Sequence, residues 1–423
     1  MMSVRAQART PRRSPCRGPL FIGIAAAAAL ALAACGSSSG SSGSGSSAGG
    51  SSGAGVSGPI TIGIIAPLSG ADAGLGAPDA QGANIAVQLV NASGGVLGQK
   101  IQIKEDDDQA TGSGAVTALR TLSGHGIHFI VGGNTTPECS AMIPLLSSVK
   151  VVEMPAGCAT DDLTGSGVNP WYFRSYGPAG PEIEAFTKWM CQNFKGIKTV
   201  DHMTPNYDFG QFQLSSVNAG FKSACGVTSG RTVLASITAT SASSYVASLL
   251  AHRAADAKQS SVLDLSTFGP ALTSAVKIGG PEGLFTGYRA VFTTSGPAYT
   301  TELPTFGSSA PSVYVASDYT YLNTGGLSAQ FRAAFKAKYH TEPSAEAGQV
   351  FGSVEALVAA IKKAKSDDPD RVRQAMAGLT YTTTQANPVT INAATHQGNP
   401  DFHFLHYVGQ NATLVGSAPY PAS

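Results

Sequence analysis

Residues 130–146 read IVGGNTTPECSAMIPLL. An apolar, strand-like run over residues 128–131 stops at Gly132-Gly133, and two threonines and a proline then open a helix-like stretch. Hydroxyls and flexible glycines at such a junction leave the first backbone N–H groups of a helix free, at the positive end of its dipole. That arrangement suits an anion or another hydrogen-bond acceptor. The order of residues puts Thr136 at the N-cap, Pro137 at the first helical position with its φ preset, and Cys139 two residues further on. The competing reading is a capped helix over an empty crevice. Glu138 would repel an anion here unless its carboxylate turns away.

Other residues that could do chemistry are less promising. No Ser-His-Asp set and no paired-carboxylate context suggests catalysis, so an enzyme is not expected. Gly49, Ser51 and Gly53 match the nucleophile-elbow pattern, but they sit in a glycine/serine tract with no strand before them and no helix after. Residues 105–108, EDDD, lack the alternation and the glycine of a calcium loop and read as a solvated strand edge. His403 and His406 are three apart on an expected strand and so point to opposite faces. His125 and His128 flank a glycine turn and lack a third ligand. Neither a metal nor a cofactor is expected.

The elements that must position the threonine site span a chain of 423 residues, too long for one ordinary core. Hydrophobic residues make up 43% and charged residues 13%, a globular composition. Five of the 27 basic residues (Arg5, Arg9, Arg12, Arg13, Arg17) precede Cys35, leaving 22 against 26 acidic ones. A weakly acidic body with no basic stripe argues against nucleic acid. Residues 1–34 read as an export signal: a basic start, then LFIGIAAAAALALAA over residues 20–34, shorter than the roughly 20 apolar residues that a membrane span needs. Small residues before Cys35 resemble a bacterial lipoprotein box, so Cys35 is the expected lipidation site. Residues 36–58 then form a Gly/Ser linker. The protein is expected to be exported and anchored by lipid at the outer face of the cytoplasmic membrane.

Four cysteines remain in the body: Cys139, Cys158, Cys191 and Cys225. An even count in an exported chain points to two disulfides. Of three connectivities, Cys139–Cys158 with Cys191–Cys225 is favoured, because each stays within one lobe; four buried thiols are the competing reading. The absence of any CxxC spacing disfavours zinc.

From residue 59 the pattern alternates. Strands are expected at 60–66, 101–104, 128–131, 149–154, 199–203, 232–237, 261–265, 288–292 and 313–316. Helices are expected at 80–91, 113–122, after Pro137, and at 183–194, 209–223, 243–254, 270–278, 327–338 and 346–364. Alternation at this spacing implies α/β lobes with parallel sheets, whose ligands lie beyond the carboxyl ends of the strands. Residues 59–178 with 312–385 are assigned to one lobe, and 179–311 with 386–423 to the other.

Four stretches fall in the order and spacing of one family: IGIIAPLSGADAGLG (62–76), IAVQLVNASGGVLGQKIQIKEDDD (85–108), FIVGGNTTPECSAMIPLL (129–146) and PNYDFGQ (205–211). They resemble the substrate-binding lipoproteins of branched-chain amino-acid-type ABC transporters, over roughly residues 59–412. The resemblance implies the type I periplasmic-binding fold, two Rossmann-like lobes hinged around a cleft. It also implies capture of a small amino-acid-like, amide or carboxylate solute for ABC permease subunits, by a monomer. A sensor that hands a signal to a membrane receptor is the alternative. In the family a hydroxyl at the position of Thr136 holds the ligand carboxylate, aided by the loop over residues 156–159. Thr135, Ala156 and Gly157 are therefore candidates, and Leu75 stands where amino-acid binders often carry an aromatic. Tyr176, Tyr207, Thr267 and Phe268 lie at strand or crossing ends and could equally be packing residues. An acid for an α-ammonium has no clear counterpart: TTSGPAYTTE offers Ser295 first and Glu302 only later.

Overall fold

Ile60–Ala66 (β1) is a run of mostly β-branched and small residues that is buried almost end to end. A strand of that kind belongs inside a parallel sheet covered on both faces. The computed structural model describes residues 58–70, 73–236 and 238–420. The expected signal, Cys35, the linker and the Gly49-Ser51-Gly53 pattern lie outside the described residues, apart from Gly58.

Strands β1, Ile101–Asp107 (β2), Phe129–Gly132 (β3) and Val152–Met154 (β4) form a parallel sheet in the order β2-β1-β3-β4. Ile62 pairs with both Ile103 and Phe129. The helices Ala73–Ala92, Gly112–Gly124 and Ala345–Ala364 share one apolar core with this sheet. A Cβ on Gly82 would lie 2.2 Å from the backbone oxygen of Ala347, so two helices touch there backbone to backbone.

The second sheet begins with Thr199–Pro205 (β5), Thr228–Ala235 (β6), Ser261–Asp264 (β7), Ala290–Thr293 (β8) and Ser312–Ser317 (β9). Thr380–Tyr381 (β10) and Val389–Thr390 (β11) make a separate antiparallel pair. Phe402–Val408 (β12) and Asn411–Ala418 (β13) then return to the large sheet, whose order is β13-β12-β9-β8-β7-β5-β6. β5 to β9 run parallel, while β12 and β13 pair antiparallel. Alternate residues serve two cores: Val313, Val315 and Leu405 enter one, Ala316, Phe292 and Phe404 the other.

Most expected elements are present with shifted ends. β4 begins at Val152, not 149, because Lys150 adopts a left-handed conformation (φ 51°) that ends the short helix Leu146–Val149. The first helix starts at Ala73 and runs through Pro78. Residues 105–108 are not a solvated edge throughout: Asp108 is buried and accepts from the Ala110 N–H, and Asp107 accepts from the Leu68 and Ser69 N–H groups.

Two expected lobe boundaries need correction. The expectation puts residues 312–317 in the first lobe, yet the ladder partners of β9 are β8 and β12, so the chain leaves the second sheet after Ser317. Val389 and Ile391, expected in the second lobe, are buried in the first core. Ladder hydrogen bonds and burial, not chain order, decide membership.

Candidate functional site

The carboxyl ends of both sheets open onto one cleft. The turns after β3, β4, β5, β7, β8 and β9 supply Thr136, Gly157, Tyr207, Phe268, Ser295 and Asp318 respectively. Residues near helix starts complete the wall: Leu75, Glu182 and Glu346. The cleft has about 710 Å³ of empty space, including the part that opens to solvent. Seven of the ten expected ligand residues line it: Leu75, Thr135, Thr136, Gly157, Tyr207, Phe268 and Ser295.

The other three stand behind the wall. Ala156 is buried, with its N–H on the Gly133 carbonyl. Tyr176 is buried and donates its hydroxyl to the Cys158 carbonyl at 3.1 Å. Thr267 has no exposed surface, one residue before the lining Phe268. Each of the three is followed directly by a residue that does line the cleft: Gly157, Gly177 and Phe268.

The threonine junction differs from its expected register by one residue. Thr135, not Thr136, is the N-cap, and Glu138 is the third helical residue. The Glu138 carboxylate accepts from the N–H groups of Asn134 at 2.7 Å and Thr135 at 3.0 Å, the Glu half of a capping box. Glu138 therefore turns back onto its own helix, and burial raises its pKa. The amides it occupies are closed to a solute, whereas the buried Thr136 Oγ1 has no hydrogen-bond partner. A disulfide joins Cys139, on this helix, to Cys158, in the loop with Gly157 and Ala159; Cys191 and Cys225 form the second. A Cβ on Gly157 would meet both the Asn134 carbonyl oxygen and Glu346 Oε1 at 3.0 Å. Glycine lets these groups approach.

The opposite wall is aromatic. Tyr207 and Phe268 meet edge to face with centroids 6.3 Å apart, and Phe209 stands 6.3 Å from Tyr207. Ser295 Oγ accepts from Gln213 Nε2 at 2.7 Å, which fixes it at the cleft edge.

The acids of the cleft are not those that the sequence suggests. Glu302 does not reach the cleft; it accepts from the Gly269 N–H and from Thr273 Oγ1, holding the start of the helix Gly269–Gly279. Glu182, Asp318 and Glu346 line the cleft instead. Asp318 accepts from the Gly177 N–H at 2.9 Å and from Gln349 Nε2 at 2.8 Å. Burial pushes its pKa up to about 6 against the pull of those bonds. Glu346 accepts from Asn134 Nδ2 at 3.1 Å, and burial together with the Asp318 charge raises its pKa to about 8. Burial, then the Asp318 charge, drives Glu182 well above the usual range. Behind Glu346 lies buried Asp79, raised by burial and by the Glu346 charge. In sequence, Glu182 and Glu346 look like ordinary first-turn helix acids, which hid them. The signal for Asp318 was available: it directly follows the strand VYVAS.

Among the described residues, no group of three or more His, Cys, Asp or Glu side chains is arranged to hold a metal ion. His403 is buried on β12, and His406 Nε2 lies 2.8 Å from Ser312 Oγ. No helix among the described residues is long and apolar enough to cross a membrane.

Comparison with known proteins places this geometry. The family model described as periplasmic binding protein matches residues 59–411. Over 139 residues the chain is 34% identical to "Leu/Ile/Val-binding protein homolog 3" of Brucella melitensis, covering 33% of this chain and 38% of that protein. It is 33% identical over 136 residues to "Leu/Ile/Val-binding protein BraC3" of Rhizobium johnstonii, covering 32% and 37%. These matches span under two fifths of either relative. Among solved structures, a solute-binding protein of R. palustris in complex with benzoate superposes with a TM-score of 0.76 at 19% identity, covering 86% of this chain and 98% of that one. The leucine-binding protein LivK of Thermotoga maritima gives 0.72 at 15%, covering 85% and 98%. At these identities the structural likeness carries the fold alone.

Proposed function

The chain belongs to the periplasmic binding protein family, and from that premise we propose that it is the extracytoplasmic solute-binding component of an ABC importer. The cleft is the observation that supports this most. One cavity receives side chains from the carboxyl ends of two sheets and holds buried polar atoms, Thr136 Oγ1 among them, that have no partner in the protein. A small organic solute with an apolar body and a polar head matches that lining. Relatives named for leucine, isoleucine and valine, and a structural neighbour holding benzoate, are proteins for solutes of that kind.

The solute docks first on the wall that carries Thr135 and Thr136. Rotation about the chain crossings then brings Tyr207, Phe209 and Phe268 over its apolar body and excludes water. A permease reads the closed form, and affinity depends on how populated that form already is. The protein acts as a monomer, exported by residues 1–34 and held at the membrane by a lipid on Cys35. The sensor alternative draws no support from the relatives, and no catalytic step is proposed.

A thermal-shift screen of the purified protein against amino acids, amides, short carboxylates, polyamines and sugars tests the reading. A solute at a thousandfold excess over its Kd adds about 4 kcal/mol of stability. No shift with any of them would sink solute capture.

A further inference from the structure

Resting on the solute-capture reading, we propose that the group recognised on the solute is a protonated amine, taken by Asp318, Glu346 and the amide oxygens beside them, and that the site requires no carboxylate on the solute. Among the described residues, three carboxylates line the cleft, and no Lys, Arg or His does. An acidic wall alone would not carry the inference. The amide side chains beside it do.

Asn134 gives its Nδ2 to Glu346, and Gln349 gives its Nε2 to Asp318. Each amide is thereby oriented with its oxygen turned from the acid it serves. Asn134 Oδ1 and Gln349 Oε1 are both buried without a hydrogen-bond partner, on residues only 8% exposed that line the cleft. Thr136 Oγ1 is unpartnered too, and as a hydroxyl it can accept or donate. Leaving a buried acceptor unmade costs about 1–3 kcal/mol, so the cleft holds a surplus of acceptors that a donor-rich head group would satisfy. A primary ammonium brings three N–H donors and the charge that the acids lack.

A solute carboxylate finds the reverse. It would set a negative charge beside Asp318 and against the acceptor oxygens of Asn134 and Gln349. The amides before the threonine helix are already taken by Glu138. Arg174 is buried outside the cleft lining, and its guanidinium is bonded to Gln397, Thr164 and the carbonyls of Cys158 and Thr160. The apolar wall of Leu75, Tyr207 and Phe268 suits a hydrocarbon body behind the amine.

Calorimetry on the full-length protein with five probes tests this: isoamylamine, leucine and 4-methylpentanoate, which share a branched body, and benzylamine with benzoate. At least one amine is expected to bind and its carboxylate counterpart not to. Isoamylamine is expected to bind within tenfold of leucine or tighter. Asp318→Asn should weaken the bound amine at least tenfold, with Glu346→Gln as a second variant should the first fail to melt cooperatively. Binding of 4-methylpentanoate or benzoate without the matching amine overturns the amine assignment and leaves solute capture standing. Leucine more than tenfold tighter than isoamylamine overturns it as well, since the carboxylate would then be required. Silence from all five probes, with a hit lacking an amine in the wider screen, overturns the assignment alone; silence in both overturns solute capture too.

Discussion

At the scale of single residues, the cleft depends on which polar atoms the protein has already satisfied. Glu138 caps its own helix, and the Thr136 hydroxyl and Asn134 Oδ1 are among the side-chain atoms of that junction that remain without a partner. Thr136→Val removes the hydroxyl at nearly constant volume. Binding of whichever solute the screen identifies should weaken by about 1–2 kcal/mol, the scale of one hydrogen bond. Isothermal titration of both proteins decides this, and equal affinities would take Thr136 out of the site. The one-residue offset of the N-cap was not legible in TTPE, because either threonine can cap and the proline fits either of the next two positions.

At the scale of elements, the two disulfides have different neighbours. Cys139–Cys158 ties the helix beside Thr136 to the loop that presents Gly157 and Ala159. Cys191–Cys225 joins the helices Ala179–Asn193 and Asp208–Cys225, and neither cysteine lines the cleft. Replacing either pair by serine should cost about 3 kcal/mol of stability, the loop-closure scale for spans of this length. Only the Cys139/Cys158 pair should also weaken solute binding, severalfold, because two lining segments lose their common tether. Melting curves and titrations on both double variants separate the effects; equal affinity losses would refute the distinction. The pairing was legible from cysteine count and lobe assignment. That one disulfide underlies the site was not, since it requires β3 and β4 to be neighbours in the sheet.

At the scale of the whole molecule, buried acids make stability depend on pH. Glu355 is raised to about 7 and Glu346 to about 8, both chiefly by burial. Their ordinary values lie near 4.3. The folded state therefore keeps protons that the unfolded chain has released, and stability falls as pH rises through the folded values. Each such group costs about 1.4 kcal/mol per pH unit while that difference lasts. Below about pH 7 the depressed His396, His403 and His406 act in the opposite sense, because the unfolded chain then binds more protons than the native one. The melting temperature is accordingly expected to drop between pH 7 and 8.5, and Glu346→Gln to flatten that drop. A melting temperature that rises over this window in the parent protein would contradict the burial argument. Asp318 adds a mechanical link: it directly follows β9 and binds Gly177 in another crossing, so a charge placed beside it acts where the chain passes between sheets.

The sequence alone determined the α/β class, the order of most strands and helices, the cysteine pairing and seven of the residues that line the cleft. All of these follow from local periodicity, turn chemistry and motif order, which a linear chain displays directly. Six of the seven expected residues that line the cavity follow a strand end. Leu75, in the first helix, and the threonine and Gly157 positions were pointed to by the resemblance of the motifs. Tertiary structure alone decided the rest. It placed β9 in the second sheet, turned Glu138 away from the cleft, and brought Glu182, Asp318 and Glu346 to one wall. Those three acids lie up to 164 residues apart in sequence, and only sheet order and helix packing bring them together.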